Sequence, residues 1–424
     1  MGMGEAGDEA GRSHRRVDLR TAAVEVVRAL VDAGHEAYFA GGCVRDRLMG
    51  GDPTDYDVAT DARPDAVSAL FRRAQRVGEA FGVMLVKHHG HPIQIATFRT
   101  EGVYSDGRHP DTVSFSDAEH DARRRDFTIN GLFEDPLDGN RIIDYVGGRA
   151  DLEAGVIRAI GDPEARLRED ALRMLRAVRF AARFEFAIEG GTGEAIRAAA
   201  GDLRGVSRER IGQELKWMLS HPNRAVAAWE LQYLGLDGAV LEEPCLTAAP
   251  RRLGRLAADA PYATALAAWL LDRADEAPDL IEHARRWSRS LLLSNADRDA
   301  LCRTLEIHQA LTGPWPQLGV AGQKRLAARP DFEQALAVLK AGDNQAFVDV
   351  RRQVETLART QIAPPPLISG EDLIGLGLTP GPLFKRVLDS VYDAQLEGSL
   401  GEKAEALRLA KAIAEAPRAD PPDG

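Results

Sequence analysis

AYFAGGCVRDRLMGGDPTDYDVAT, from Ala37 to Thr60, is the stretch whose reading decides the fold. A short apolar run, Ala37 to Ala40, meets Gly41 and Gly42 and then a helix-like start carrying Arg45 and Asp46. A turn at Gly50, Gly51, Asp52 and Pro53 leads into a second short run that holds Asp55 and Asp57. Residues i and i+2 of a strand share a face, so the two carboxylates are expected side by side. Like charges that close are unfavourable unless a cation lies between them. Two oxygen ligands beside a Gly-Gly turn suit a Mg²⁺-nucleotide site.

Around this block the chain separates into two textures. Thr21 to Ala33 has the periodicity of an amphipathic helix, and Gly82 to His88 and Pro92 to Arg99 read as strands joined by a His-Gly-His turn. Asp126 to Phe133 reads as a further helix start. Beyond about residue 151, Ala, Leu, Arg and Glu dominate. There Glu164 to Phe184 and Arg208 to Leu219 show helical periodicity. The expected class is therefore α+β, a small mixed sheet followed by helices. The expected segments are 1–16, a polar disordered tail; 17–150, a mixed unit holding the candidate chemistry; 151–225, a first helical stretch; and 226–424, a second.

Bulk properties bound the function. The 424 residues are 44% hydrophobic, enough for several cores. No long apolar run or leader pattern points to a membrane, and Cys43, Cys245 and Cys302 have no metal-ligand or disulfide spacing. A cytoplasmic location is expected. The net charge of −11 argues against a uniformly basic nucleic-acid binder, yet Arg123–Arg125 and Arg166–Arg183 are locally basic.

Two further motifs complete the pattern. RRRDFTING, Arg123 to Gly131, offers Arg125 to a ligand, with Asp126 as a cap and Phe127 and Ile129 as core. EDALRMLRAVRF, Glu169 to Phe180, places Asp170 and Arg173 three apart on a helix, with Arg176 and Arg179 continuing the stripe and Leu172, Leu175 and Val178 anchoring it. An amphipathic helix with an internal Asp–Arg pair accounts equally for that second motif alone. Likewise Arg45 has Asp46 and Asp52 as alternative partners to a phosphate.

Taken together and in this order, these motifs resemble the class II tRNA nucleotidyltransferase and bacterial poly(A) polymerase family. The resemblance is dense from about 35 to 220 and patchy beyond. It implies a polymerase-β-like nucleotidyltransferase head and an all-α neck, body and tail. Asp55 and Asp57 become the catalytic pair of a two-metal mechanism with Mg²⁺ as cofactor, one ion activating the 3′-hydroxyl and one neutralising the triphosphate, with release of pyrophosphate. Gly42, Arg45, Arg125, Asp170, Arg173, Arg176 and Arg179 become nucleotide contacts. The base-reading logic is physical: a carboxylate accepts the amino group of cytosine or adenine while a guanidinium donates to the adjacent ring nitrogen. Uracil and guanine present the opposite pattern and leave polar groups unpaired, at about 1–3 kcal/mol each.

The implied activity is addition of C, C and A to a tRNA 3′ end from CTP and ATP. Relatives adding only CC or only A, and poly(A) polymerases, share the core. The segment Val77–Val86 lacks the basic GRRF-like stretch of the poly(A) polymerases, and the loop Thr100–Phe115 is intact. One departure stands out. The family's usual IEVATFR is IQIATFR here, so Gln94 replaces the expected third acid. That motivates a non-enzyme alternative, an RNA-binding pseudoenzyme. DYVGGRADL, Asp144 to Leu152, reads as a head-to-neck hinge. His120-Asp121, His221, His283 and His308 have no spacing for a metal-dependent phosphohydrolase.

Overall fold

The computed structural model describes residues 17–77, 82–102, 113–274 and 279–415. The tail 1–16, most of the loop Thr100–Phe115, part of Val77–Val86 and the frayed end expected at Ala419–Gly424 lie outside those residues. Two compact units are present. One runs to Glu214 and adds Tyr233–Ala239; the other holds Leu215–Gln232 and continues from Val240.

The first unit opens with α1 (Leu19–Asp32), capped by Asp18, whose carboxylate accepts the Thr21 N–H. There follow β1 (Ala37–Ala40), α2 (Gly42–Leu48), β2 (Asp57–Thr60), α3 (Pro64–Leu70), β3 (Ala74–Arg76), β4 (Val83–His88) and β5 (His91–Thr97). β6 (Arg99–Glu101) and β7 (Val113–Phe115) form a separate ribbon before α4 (Ala118–Arg123), and β8 (Leu132–Asp135) and β9 (Arg141–Asp144) return to the main sheet. Its order is β3-β4-β5-β2-β1-β8-β9, with β2 and β5 parallel and the other neighbours antiparallel.

The alternation of side chains divides the sheet into two faces. Phe39, Tyr56, Val58, Ile93 and Ile95 face α1 and pack on Ala22, Ala23, Val26, Val27 and Leu30. The other face carries Ala40 and Ala59, which join Phe98, Phe133, Ala118 and Ala122. Asp57 shares the face of Ala59, and the β2–β5 register sets Gln94 directly beside it. The small side chains of Ala40, Ala59 and Ala96 leave open space over that half of the sheet.

Three expectations change. Strand β2 begins at Asp57, so Asp55 lies in the segment just before it rather than within it. Asp126–Phe133 is not a helix start: a single 3₁₀ turn, Thr128–Asn130, leads straight into β8. Phe127 and Ile129 are nevertheless fully buried, so the apolar positions in that motif serve the core. Third, the helix expected across Glu164–Phe184 is two helices, α6 (Pro163–Glu169) and α7 (Leu172–Phe184), after α5 (Gly148–Ala154) and the short β10 (Val156–Ile157). The break is at Asp170, whose backbone is extended (φ −148°, ψ 103°) and whose carboxylate accepts the Leu172 N–H at 3.0 Å. Aspartate competes with the helix for its own backbone donors, and here the cap prevails.

The glycine pair of DYVGGRADL has a packing role. Gly148 is buried against the Thr128 carbonyl, leaving no room for a Cβ. The unit closes with β11 (Ala187–Ile188), α8 (Gly190–Ala199) and the start of α9 (Arg208–Leu219). The second unit is helical throughout its described residues. Its cores gather around Ile307, Trp315, Phe332 and Leu336, and around Ile368, Leu373, Val387 and Ala406. Among the described residues no helix is long and apolar enough to cross a membrane.

Candidate functional site

A cavity of about 620 Å³ opens over the Ala40–Ala59 face, within the first unit. Every candidate named from the sequence borders it: Gly42, Arg45, Asp55, Asp57, Arg125, Asp170, Arg173, Arg176 and Arg179. Its lining holds eight arginines against five aspartates, an inversion of the chain's −11 balance that suits a polyanionic ligand.

The floor is carboxylate. Among the described residues neither Asp55 nor Asp57 makes a salt bridge. Burial first, and then the neighbouring charge of Asp55, push the Asp57 carboxyl up to about 6, with Arg125 pulling weakly the other way. Asp57 at the start of β2 and Asp55 just before it form an oxygen donor set for a hard divalent cation. Gln94, adjacent to Asp57, adds a neutral amide oxygen to the same floor.

The rim beside the floor is the Gly-Gly turn. Gly41 has φ +71°, a conformation open to glycine, and a Cβ there would meet the Arg125 guanidinium at 2.8 Å. Gly42 starts α2, and a Cβ there would lie 3.7 Å from the Arg45 guanidinium, in ordinary contact. Arg45 is buried. It donates to Asp46 at 2.6 Å and to the Asn130 side chain, and its guanidinium lies over the Phe184 and Phe180 rings at 4.7 and 5.3 Å. The partner read from the sequence as an alternative, Asp46, is thus real, and it holds Arg45 at the cavity edge. Arg125 is pinned by Asp121 at 2.9 Å and donates to the Asn130 carbonyl at 3.2 Å.

The far wall is α7 with its approach. Asp170 and Arg173 do not pair with each other. Asp170 accepts from Arg210 of α9 at 2.6 Å, while Arg173 donates to Glu169 at 2.5 Å and to the Arg166 carbonyl at 2.7 Å. Each Asp170 oxygen therefore accepts one protein donor and retains capacity for another. Arg176 pairs with Asp126 at 2.6 Å and Arg179 with Glu214 at 2.6 Å, and both guanidinium groups lie on the Phe180 ring, at 5.2 and 4.4 Å. Asp126 is desolvated, but Arg176, Asn130 and the Phe127 N–H outweigh that and hold its carboxyl down at about 2.

Several lining residues were missed in the sequence. Asn130 links Arg45, Arg125 and Asp126, and its signal was its place inside RRRDFTING. Arg183 continues the spacing of Arg176 and Arg179 by one more turn and approaches Asp46 at 3.6 Å. Glu169, Arg210 and Glu214 act from outside the cavity wall; all three lie inside stretches singled out in the sequence, Glu169–Phe180 and Arg208–Leu219, but their pairing with Arg173, Asp170 and Arg179 was not foreseen.

Residues 37–158 match the family model described as the poly A polymerase head domain. The CCA-adding enzyme of Geobacillus thermodenitrificans is 35% identical over 398 residues, covering 90% of this chain and 94% of that protein. The CCA-adding enzyme of Lactiplantibacillus plantarum is 33% identical over 91% of this chain and 94% of its own length. Among solved structures, the Bacillus stearothermophilus CCA-adding enzyme in complex with CTP superposes with a TM-score of 0.75. It is 29% identical and is matched over 93% of this chain and 98% of that one.

Proposed function

The chain belongs to the CCA-adding enzymes, tRNA nucleotidyltransferases, and on that premise we propose how its own residues carry out the addition of C, C and A to a tRNA 3′ end from CTP and ATP. The observation that carries the assignment of roles is the single cavity in which Asp55 and Asp57 face the Asp170–Arg173 wall across an arginine-rich rim.

Asp55 and Asp57 hold the divalent metal that this chemistry uses, and Mg²⁺ is the ion we assign to them. When bound, the metal activates the tRNA 3′-hydroxyl and neutralises charge on the triphosphate. The two acids fit that task because their mutual repulsion and the burial of Asp57 are relieved by a cation. Gly42 and Arg45 receive the triphosphate, with Arg45 already oriented by Asp46 and Asn130. Arg125, fixed by Asp121, contacts the nucleotide from the floor side.

Asp170 and Arg173 read the base. Both are anchored by partners other than each other, so the accepting and donating groups are set before the nucleotide arrives and little side-chain freedom is lost on binding. The Asp170 oxygens accept the exocyclic amino group of C or A, and Arg173 donates to the neighbouring ring nitrogen. Arg176 and Arg179 give further nucleotide contacts while keeping their carboxylate partners. In this reading residues 17–150 are the catalytic head, 151–225 the base-reading neck, and 226–424 the part that grips tRNA. A cytoplasmic setting suits these substrates.

The test is a tRNA lacking its 3′ CCA, incubated with CTP, ATP, or both in Mg²⁺ and read at single-nucleotide resolution. Addition of C, C and A with both nucleotides is expected. A stop after CC, a lone A on a CC-ended tRNA, or a long A tail would replace this reading with that of a relative. No extension would make Gln94 the first residue to restore to an acid.

A further inference from the structure

We propose that Glu25, His88 and His89 form a binding site for a divalent transition cation of the Zn²⁺ or Ni²⁺ class, clasping α1 to the β4–β5 hairpin. None of the three borders the catalytic cavity. Their ligand atoms, one carboxylate oxygen and two imidazole nitrogens, lie within 4.8 Å of one another. The Nε2 atoms of His88 and His89 approach the same Glu25 oxygen, at 2.8 and 2.7 Å. Two imidazoles and one carboxylate are the donor set that borderline cations take, whereas Mg²⁺ selects oxygens.

The backbone explains how consecutive residues converge. Neighbours in a strand point to opposite faces, so His88 and His89 would diverge if β4 simply continued. Instead His89 has φ +48° and Gly90 φ +89°, the left-handed pair of a tight hairpin turn. Asn or Gly is the ordinary occupant of the first of those positions. A histidine there turns its ring back beside that of His88, with centroids 4.4 Å apart. Glu25 meets both rings from α1, one position before Val26 and Val27, which are buried in the head core. His91 is committed elsewhere, with Nε2 2.9 Å from the Val17 carbonyl, so three protein ligands leave the remaining coordination to water.

Cation binding needs small adjustments. With both rings as Nδ1–H tautomers, both Nε2 lone pairs are directed at the metal. Bonds of about 2.0–2.1 Å in a tetrahedral arrangement separate ligand atoms by roughly 3.3 Å, so each histidine nitrogen moves about half an ångström away from the Glu25 oxygen. The side chains are 30–43% exposed and have room to do so.

Calorimetric titration of Zn²⁺ into the untagged full chain, with excess Mg²⁺ to occupy the oxygen site, tests the proposal. One equivalent should bind, and the affinity should fall tenfold or more in E25Q, H88Q and H89Q but stay unchanged in H120Q. Long-range ¹H–¹⁵N spectra should show the Nε2 resonances of two rings shifting on Zn²⁺ addition, and both should be missing in the H88Q/H89Q double variant. Because these side chains are surface groups, the variants should melt as the parent does without metal. Absence of binding, or binding of equal strength in all four variants, overturns the proposal.

Discussion

The floor and the far wall of the catalytic cavity handle buried charge in opposite ways. On the floor, Asp57 makes no salt bridge among the described residues, and burial and Asp55 push its carboxyl up to about 6 against the pull of Arg125. On the wall, Asp126 is buried more deeply, yet Arg176 and Asn130 hold it down at about 2. The wall is a finished scaffold in which each charge is already matched: Arg173 with Glu169, Arg176 with Asp126, Arg179 with Glu214. The floor is left electrostatically incomplete, and that is the state a cation completes. An acid proposed to hold the metal is thus better marked by the absence of a built-in salt bridge than by burial, whereas Asp170, proposed to read the base, keeps its Arg210 partner.

The largest break in this comparison comes from Asp57→Asn. If Asp57 holds the metal as proposed, its loss removes several kcal/mol of transition-state stabilisation, so nucleotide incorporation should fall on the order of a thousandfold. The melting temperature should hold or rise, since a repelled, desolvated charge has gone; a marked drop would mean that Asp57 is structural. Asp126→Asn should do the reverse. Breaking a buried pair costs about 3–5 kcal/mol, so denaturant unfolding should shift strongly to lower midpoint, and an unshifted midpoint would dissolve the contrast.

The pH dependence of stability, measured without divalent ions, sharpens the same point. Asp57 binds its proton more tightly in the folded state, so it makes stability fall as pH rises from about 4 to about 6. Asp126 binds its proton less tightly when folded, so its contribution is present above about 4 and is lost as pH falls towards about 2. Asp57→Asn should remove the first slope and leave the second. The smallest effect is expected of Gln94→Glu. A third acid beside Asp57 should lower the Mg²⁺ concentration for half-maximal rate by roughly tenfold, a change of the size seen when groups around a metal are altered. An unchanged Mg²⁺ requirement would mean that position 94 takes no part in holding the metal.

Much of this was legible in the chain. The alternation around Asp55 and Asp57, the Gly-Gly turn and the two arginine motifs each named residues that border one cavity. Local patterns sufficed there because strand parity and glycine geometry act over a few residues. The failures were also local patterns, overridden by partners distant in sequence. Helical periodicity ran smoothly through Glu164–Phe184, yet Asp170 breaks it, capping Leu172 and meeting Arg210 from forty residues away. Asp126 was read as a helix cap, and what it holds is Arg176, fifty residues on. The histidines of the β4–β5 turn looked like punctuation until α1 brought Glu25 to them.

By itself, then, the sequence determined the residue types of the site, the α+β head followed by helices, and the side of β2 on which Asp57 points. Periodicity and turn chemistry are short-range, and each leaves its mark within a few neighbouring residues. Only the tertiary structure decided which charges are matched and which are left open, because a carboxylate's state depends on what lies within a few ångströms in space. The same folding that surrounds Asp126 with donors leaves Asp57 beside another acid, and that difference separates scaffold from chemistry.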